Sequence, residues 1–498
     1  MLKILSTNQI RELDAYTIQH RPISSIDLME SACRAIYTWF NEHYNPTCKI
    51  GVVCGTGNNG GDGLGVARLL NDAGYNVQVW IIKGSMPESQ DFKVNLERLN
   101  GKLEIAYVAD KISSDAFQQC DVLLDAIFGS GLSRAPQGIY AAVIDGLNEV
   151  SIPKIAIDIP SGLMADTPSD GVIVKAKYTL SFQVPKLAFL FPANHAFVGH
   201  WVLLDIGLHK EFLKKVETKY FYFVQKDVRR ILRVRSKFDH KGKFGHALLI
   251  AGGLGKMGAA VFASRAALRS GLGLLTVHVP ASGYSIIQSS VPEAMASVDE
   301  NADFFSSPPA LSSFSVIGIG PGLGQSERTV EGFKKLLMLR KIPFVIDADA
   351  LNILAANRDF LQSIPEGSIL TPHPKEFERL VGEWKNEFER LEKQQKLAAD
   401  LKSVIVLKGA NTSIASPDGT VYFNSSGNPG MAKGGSGDVL TGILTGLLAQ
   451  QYSAIEAAQL GVFLHGFAGD LAAYEMGMNS LIPSDLIKFL PEAFKRAG

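Results

Sequence analysis

The sequence predicts an α/β protein made of two halves, each a mostly parallel sheet covered by helices. Three observations point there. Short apolar runs alternate with stretches of helical spacing along the whole chain; each half has its own glycine-rich loop ahead of a helix; and 498 residues exceed what one ordinary core holds. In the first half "KIGVVC" (49–54), "NVQVWII" (76–82), "DVLLDAIF" (121–128), "KIAIDIP" (154–160) and "GHWVLLDIGL" (199–208) read as strands. Between the first two, "DGLGVARLLNDAG" is helical in spacing and closed by Gly74. In the second half six runs read as strands: "HALLIAGG", "GLLTVHVP", "FSVIGIGPG", "IPFVIDADA", "GSILTPHP" and "SVIVLKGAN". The basic stretch "RVRSKFDHKGKFG" separates the halves, and the boundary is placed near residue 224, giving domains 1–223 and 224–498. There is no repeat linking the halves and no low-complexity tract.

Composition narrows the function. Lys plus Arg equals Asp plus Glu at 49 each, so no global field favours nucleic acid or an anionic membrane. Four cysteines (Cys33, Cys48, Cys54, Cys120) form no C-x-x-C pair and lie near no histidine cluster, which argues against zinc and a disulfide framework. The N-terminus is charged within its first turns and no run approaches the roughly 20 apolar residues of a membrane span, so a cytoplasmic protein is expected.

The stronger chemical motif is in the second half. "GNPGMAKGGSGDVLTGILTGLLAQ" (427–450) places Gly434, Gly435 and Gly437 ahead of a helix whose apolar residues recur with helical period. A helix start offers unpaired N–H groups and a positive dipole end, and glycines let a phosphate approach. Asp438 falls in the first turn, poorly placed to bind an anion and well placed to take a proton from a hydroxyl attacking a phosphoryl group. A packed turn capped by Asp438 accounts for the same residues with no chemistry. With the strand-like "VIVLKGANTSI" (404–414) upstream, the arrangement resembles the ribokinase-like fold. Together with "HKGKFGHALLIAGG", "GIGPGLG", "VIDADALNIL", "LTPHPKEFERL" and "LKGANT", residues 225–498 resemble the ADP- or ATP-dependent NAD(P)H-hydrate dehydratase family. The resemblance implies that Asp438 is the base, that Lys408, Gly409, Ala410, Asn411, Thr412 and Gly437 contact the adenine nucleotide, and that Ala259, Gly322, His373 and Asp438 face the hydrate. Glu376 could order a magnesium ion through water or cap a helix.

The first half opens on "CGTGNNGGDG", with Gly55, Gly57 and Gly60 spaced as in a Rossmann-like dinucleotide turn. That turn demands an acidic residue at the end of the second strand, and here the strand ends in Lys83. The ordinary cofactor reading fails. Amide oxygens, amide N–H groups and a carboxylate around a helix start instead suit a phosphate with an ordered hard cation, although turn and cap roles account for each residue singly. The loops after the first, third and fourth predicted strands could line one crevice. With "DAIFGSGL" and "AIDIPSGL" this half resembles the NAD(P)H-hydrate epimerase family, here as a three-layer Rossmann-like domain, and the whole chain resembles the bifunctional NAD(P)H-hydrate repair family. The resemblance implies that Asn58, Asn59, Gly60, Gly61 and Asp62 hold substrate phosphates. It also implies that Asn59, Asp125 and Ser161 bind potassium, and that Gly129, Ser130, Gly131, Leu132, Ser133, Arg134, Ala135 and Asp158 complete the pocket. Asp158 is the candidate acid/base for epimerisation at C6.

Hydration of the nicotinamide ring puts a hydroxyl at C6 and abolishes hydride donation. Hydroxide leaves poorly and a phosphate ester readily, so a kinase-like fold can act as a dehydratase, with magnesium and ADP as donor; the loop does not distinguish ADP from ATP. The expected partners are NADH hydrate, NADPH hydrate and the nucleotide, with a homo-oligomer implied by resemblance. Two competitors are a small-molecule kinase carrying a regulatory dinucleotide-binding half, and a non-catalytic dinucleotide sensor.

Overall fold

The computed structural model describes residues 1–110, 112–339 and 342–498. The chain divides into two compact units, Leu2–Thr218 and Met1 together with Lys219–Gly498.

In the first unit, helices α1 (Thr7–His20) and α2 (Ser25–His43) start at Ser6 and Ser24, whose hydroxyls accept from the backbone three residues on while Gln9 and Asp27 reach back in capping boxes. The sheet follows: β1 (Lys49–Cys54), α3 (Asn58–Asp72), β2 (Asn76–Ile82), β3 (Ile105–Val108), β4 (Val122–Ala126), α4 (Ile139–Glu149), β5 (Lys154–Ile157), β6 (Tyr178–Phe182) and β7 (His200–Leu204). The strand order is β3-β2-β1-β4-β5-β6-β7 with every pair parallel. From β1 the chain moves outward to β3 and then returns to β4 on the other side of β1. That reversal opens a crevice beyond the carboxyl ends of β1 and β4. Alternate residues of β1 feed cores on the two faces: Val52 and Cys54 pack with α2 and α3, Val53 with Trp80 and α4.

Strands β3 and β6 were not expected. The first has two residues only partly buried and a third, Tyr107, exposed, and the second reads "YTLSF", where Thr179 and Ser181 interrupt the apolar run although both are buried. Burial on both faces of a parallel sheet tolerates such hydroxyls because they find partners; Thr179 donates to the Val198 carbonyl at 2.7 Å.

In the second unit, β8 (Tyr220–Phe223), β9 (His246–Ile250), α5 (Met257–Arg269), β10 (Leu274–Val279), β11 (Met295–Val298), β12 (Val316–Ile319), β13 (Phe344–Ile346), α6 (Ala348–Ala356), β14 (Ile369–Leu370), α7 (Pro374–Val381), β15 (Val404–Leu407), β16 (Ser413–Ala415), β17 (Val421–Asn424), α8 (Ser436–Ala449) and α9 (Ala454–Met476) follow one another. The sheet order is β8-β17-β16-β15-β14-β13-β12-β9-β10-β11, antiparallel only at β15-β16 and β16-β17. The run 404–414, expected as one strand, is a hairpin. Its turn is closed by Thr412, whose Oγ1 accepts from Gly409 N (3.2 Å) and donates to Gly409 O (2.9 Å).

Helices α5 and α8 pack almost backbone to backbone. A Cβ on Gly442 would fall 2.1 Å from the Ala263 carbonyl, and one on Gly446 2.0 Å from Ser270 Oγ. This contact, with Val439, Ile443 and Leu447 in the core, fixes the start of α8 against the sheet. No helix among the described residues is long and apolar enough to cross a membrane.

Candidate active sites

After β1 the backbone turns at Gly55–Gly57 and enters α3 at Asn58, so Asn58 to Asp62 form the first turns of the helix itself, where a preceding loop was expected. The glycines permit close approach: a Cβ on Gly60 would lie 1.8 Å from the Gly55 carbonyl, and one on Gly55 2.2 Å from that of Ile127. The N-cap, Gly57, has no side chain to satisfy the first N–H groups, leaving them for a ligand. Asp62 is no cap; it lies inside the helix, buried, with its carboxyl pushed well up by desolvation and by Asp158, Asp14 and Asp91.

Three chain-distant loops meet here. A Cβ on Gly129 would lie 3.4 Å from Asn59 Cγ and 3.1 Å from Asp158 Oδ2. Ser130 N donates to Asp158 Oδ2 at 2.8 Å, and Lys186 Nζ donates to Asp158 Oδ1 and to Ser181 Oγ, both at 2.6 Å. Lys186 is 1% exposed, and Asp158 is held at φ 68°, a left-handed conformation uncommon for residues other than glycine. Burial alone would raise the Asp158 carboxyl; the Lys186 charge and hydrogen bond, with the Ser130 amide, outweigh it and leave it below the usual carboxylate value.

The Asn59 amide is buried and neither its nitrogen nor its oxygen has a hydrogen-bond partner. An orphaned buried amide costs about 1–3 kcal/mol, so a ligand is the economical reason for keeping one. Asp125 and Ser161 are in contact: Ser161 N donates to Asp125 Oδ2 at 2.7 Å and its hydroxyl to Oδ1 at 2.5 Å. Burial pushes Asp125 up to about 6, against those hydrogen bonds. The Asn59 amide hydrogen-bonds to neither. The stretch from Gly129 to Ala135 forms the partly exposed rim, with Gly131 close to Arg11 Nη2.

Two residues of this site escaped the sequence analysis. Lys186 stands in "QVPKLAF", one lysine among 49 basic residues with no motif around it. Asp14 stands on α1, where Thr7, Arg11 and Asp14 recur at helical spacing; Thr7 Oγ1 donates to the Ser130 carbonyl at 3.2 Å. The signal was a polar helix face, which solvent also produces.

In the second unit Asp438 lies in the first turn of α8, whose N-cap is Gly435 at φ 96° with no side-chain cap. Asp438 therefore does not cap, and its carboxyl makes no hydrogen bond among the described residues. Burial and the charge of Asp347 raise it to about 6, opposed by Lys408 and helped by Asp349. Beneath it, Lys408 Nζ sits 2.8 Å from Asp347 Oδ1 and 3.8 Å from Glu376 Oε2, and Thr441 Oγ1 donates to Asp347 Oδ2 at 2.7 Å. A Cβ on Gly437 would stand 3.6 Å from both Asp347 Oδ2 and Lys408 Nζ, so the helix start lies directly against the pair. Asp347, in the "VIDADALNIL" motif, had been given no role.

Gly322 (φ 65°) and Ala259 are neighbours, a Cβ on the first falling 3.3 Å from that of the second. His373 is the N-cap of α7: its Nδ1 accepts from Lys375 N (3.1 Å) and Glu376 N (3.3 Å), while Glu376 returns a bond to His373 N at 2.8 Å. Glu376 thus has the capping role. Burial and the charges of Lys408 and Arg379 lower His373, keeping its ring neutral. Of the nucleotide candidates, Lys408 turns inward to Asp347, whereas Gly409 has no neighbour within 4 Å of a Cβ position.

Residues 25–188 match the family described as YjeF-related protein N-terminus, and residues 247–492 the NAD(P)H-hydrate dehydratase family. The bifunctional NAD(P)H-hydrate repair enzyme of Moorella thermoacetica is 38% identical, covering 98% of this chain and 96% of its own. That of Coxiella burnetii is 36% identical over 98% and 99%. Among solved structures, the ADP/ATP-dependent NAD(P)H-hydrate dehydratase of Bacillus subtilis, co-crystallised with ATP/Mg2+, is 35% identical with a TM-score of 0.50, covering 56% of this chain and 99% of its own. A ribokinase-like superfamily protein of Enterococcus faecalis is 29% identical with the same TM-score, over 57% and 98%. With relatives matched from end to end at this identity, the chain belongs to the family of bifunctional NAD(P)H-hydrate repair enzymes.

Proposed function

We propose that the chain restores hydrated NADH and NADPH in two steps: residues 1–223 interconvert the R and S hydrates at C6, and residues 224–498 dehydrate the S hydrate with ADP, or ATP, as phosphoryl donor. The observation that carries the second step is an unbonded carboxyl, Asp438, poised near neutrality at an uncapped glycine-rich helix start. Asp438 takes the proton of the C6 hydroxyl as its oxygen attacks the terminal phosphoryl group. The N–H groups of Gly434, Gly435 and Gly437 receive the charge that develops on the transferring group. Phosphate then departs from C6 with the bonding pair, the ring nitrogen supplies electrons, and loss of a C5 proton restores the dihydronicotinamide. ADP is converted to AMP and phosphate. The kinase alternative is not favoured by the relatives.

Bound magnesium would neutralise nucleotide phosphate charge; Glu376 and Asp347, hard carboxylates beside Lys408, suit a hydrated magnesium ion. The hydrate is assigned to the side of Asp438 where Gly322, Ala259 and His373 stand, and the adenine nucleotide to Lys408 through Thr412 and Gly437. In the first unit, the α3 N-terminus from Asn58 to Asp62 takes the substrate phosphates, and the rim from Gly129 to Ala135 encloses the nicotinamide end. The orphaned Asn59 amide, the Asp125 carboxylate and Ser161 offer hard oxygen donors that fit potassium. Asp158, held ionised by Lys186, acts on the C6 hydroxyl.

The test follows near-ultraviolet absorbance of a mixed-epimer NADH hydrate sample with purified protein and ADP, ATP or no nucleotide. Full nucleotide-dependent recovery of the NADH signal is expected. A plateau at one epimer's share would remove the epimerase reading, and no recovery would remove the dehydratase reading.

A further inference from the structure

Helix α1, which borders the pocket of the first unit, carries a carboxyl that nothing above uses. Asp14 lies on the α1 face whose earlier turns reach the pocket rim, Thr7 through its hydrogen bond to the Ser130 carbonyl and Arg11 beside Gly131. It is half-buried, and among the described residues its carboxyl has no hydrogen bond or ion pair. The charges it feels are those of Asp158 and Lys186, and Asp62 in turn feels Asp14. Arg11 stands one turn away on the same helix; two residues along, Tyr16 meets the ring of His209.

The environments of the two carboxyls diverge. Asp158 is paired with Lys186 and stays ionised, whereas burial and the Asp158 charge push Asp14 up to about 6, against Lys186. Neighbouring carboxyls driven apart in this way are the arrangement that supplies one base and one acid at the same pH. Epimerisation at C6 needs both. Resting on the epimerase reading of this pocket, we infer that Asp14 is the general acid of the epimerisation, working opposite Asp158 through a ring-opened aldehyde.

The step balances. Asp158 takes the proton of the C6 hydroxyl; the O–H pair becomes the second C–O bond of an aldehyde; the C6–N1 bond breaks with its pair going to N1; and Asp14 gives N1 its proton. Rotation about C5–C6 presents the other aldehyde face. N1 then attacks C6, returning its proton to Asp14, while the aldehyde oxygen recovers a proton from Asp158. No oxidant, reductant or other reactant is consumed, and both residues finish as they began.

The experiment uses the full chain without nucleotide, supplied with one resolved hydrate epimer, and follows interconversion by chromatography across pH. The wild type should lose rate on the alkaline side as Asp14 gives up its proton above about 6. Asp14→Asn keeps the shape and removes the proton, so turnover should fall by about 10²-fold or more while hydrate binding, read by equilibrium dialysis, is retained. Asp14→Glu should recover part of the rate and keep the alkaline limb. Hydroxylamine should trap the aldehyde as an oxime with the wild type and not with Asp14→Asn. Wild-type turnover by Asp14→Asn, loss of its binding together with turnover, or a wild type with no alkaline limb near that pH would each overturn the proposal. A wild type that interconverts neither epimer would instead remove the epimerase reading itself.

Discussion

The two units build their reactive carboxyls from the same electrostatic part and use it in opposite ways. Each has a buried aspartate–lysine pair beyond the carboxyl ends of its parallel strands, Asp158 with Lys186 at 2.6 Å and Asp347 with Lys408 at 2.8 Å. Each sets a second, unpaired carboxyl in the field of that pair, Asp14 in one and Asp438 in the other, and both are pushed up to about 6. In the first unit the paired aspartate also takes the Ser130 amide of the pocket rim, and it is the proposed base. In the second, Asp347 is occupied by Lys408 and Thr441, and the proposed proton acceptor is the unpaired Asp438. In both units a lysine takes one aspartate of the cluster as its partner and leaves the other carboxyl without a hydrogen bond.

The comparison breaks most sharply at Asp438. Asp438→Asn should lower nucleotide-dependent dehydration of the S hydrate by about 10²–10⁴-fold, as removal of a general base does. Interconversion of the epimers should persist, because that chemistry belongs to the other pair. Chromatography of the hydrates alongside the absorbance assay separates the two; loss of both would mean that the sites are not independent.

The place of Asp438 in the first turn of a helix was legible in the sequence because its signal is local: glycines, a helix start and an acidic residue are contiguous, and the helical period continues for three turns. So were the switch-point loops, since each ends an apolar run. What supports these residues was not legible. Lys186 reaches Asp158 across 28 residues and Lys408 reaches Asp347 across 61, distances over which only the fold brings charges together. The hairpin inside residues 404–414 was hidden because Lys408 to Thr412 carry no Pro, and the turn is closed by a threonine hydroxyl. The helical state of Asn58 to Asp62 was hidden by glycines that disfavour helix interiors; here they are required by contacts with Gly55 and Met29.

Removing the lysines should cost stability unequally. Lys186→Met strands Asp158 in a site where the lysine is 1% exposed, and breaking a buried pair this way costs about 3–5 kcal/mol. Lys408→Met should cost less, because that side chain is 22% exposed, so the pair it makes with Asp347 is already partly screened by solvent. Denaturant unfolding of the two variants checks the order, and an equal or reversed cost would mean that the pairs are not buried to different degrees in solution.

The pH profile sharpens the second site. Asp438 accepts a proton only when ionised, so dehydration should rise with pH through about 6. Asp347→Asn deletes the negative charge that raises Asp438 and frees the Lys408 charge that lowers it. Both act in one direction, so the acid limb should move down toward the ordinary carboxylate value. An unmoved or rising limb in kcat against pH would mean that burial alone sets the Asp438 proton affinity.

The smallest effect separates two buried asparagines. Asn424, in the second unit, donates to the Ser426 carbonyl at 2.9 Å and accepts from its hydroxyl at 3.2 Å, whereas both polar atoms of Asn59 are unpartnered. Asn424→Ala strands the Ser426 carbonyl, while the Ser426 hydroxyl keeps its bond to the Phe463 carbonyl, and should cost about 1–3 kcal/mol. Asn59→Ala strands nothing in the protein, so in choline buffer its unfolding should match the wild type within about 0.5 kcal/mol. Potassium should then separate them: an ion held partly by the Asn59 amide stabilises the folded wild type in proportion to ln(1 + [K⁺]/Kd) and gives the variant less. Thermal melts of both proteins in choline and potassium buffers read this directly. An equal potassium response in the two would place the ion elsewhere and leave the Asn59 amide to the substrate.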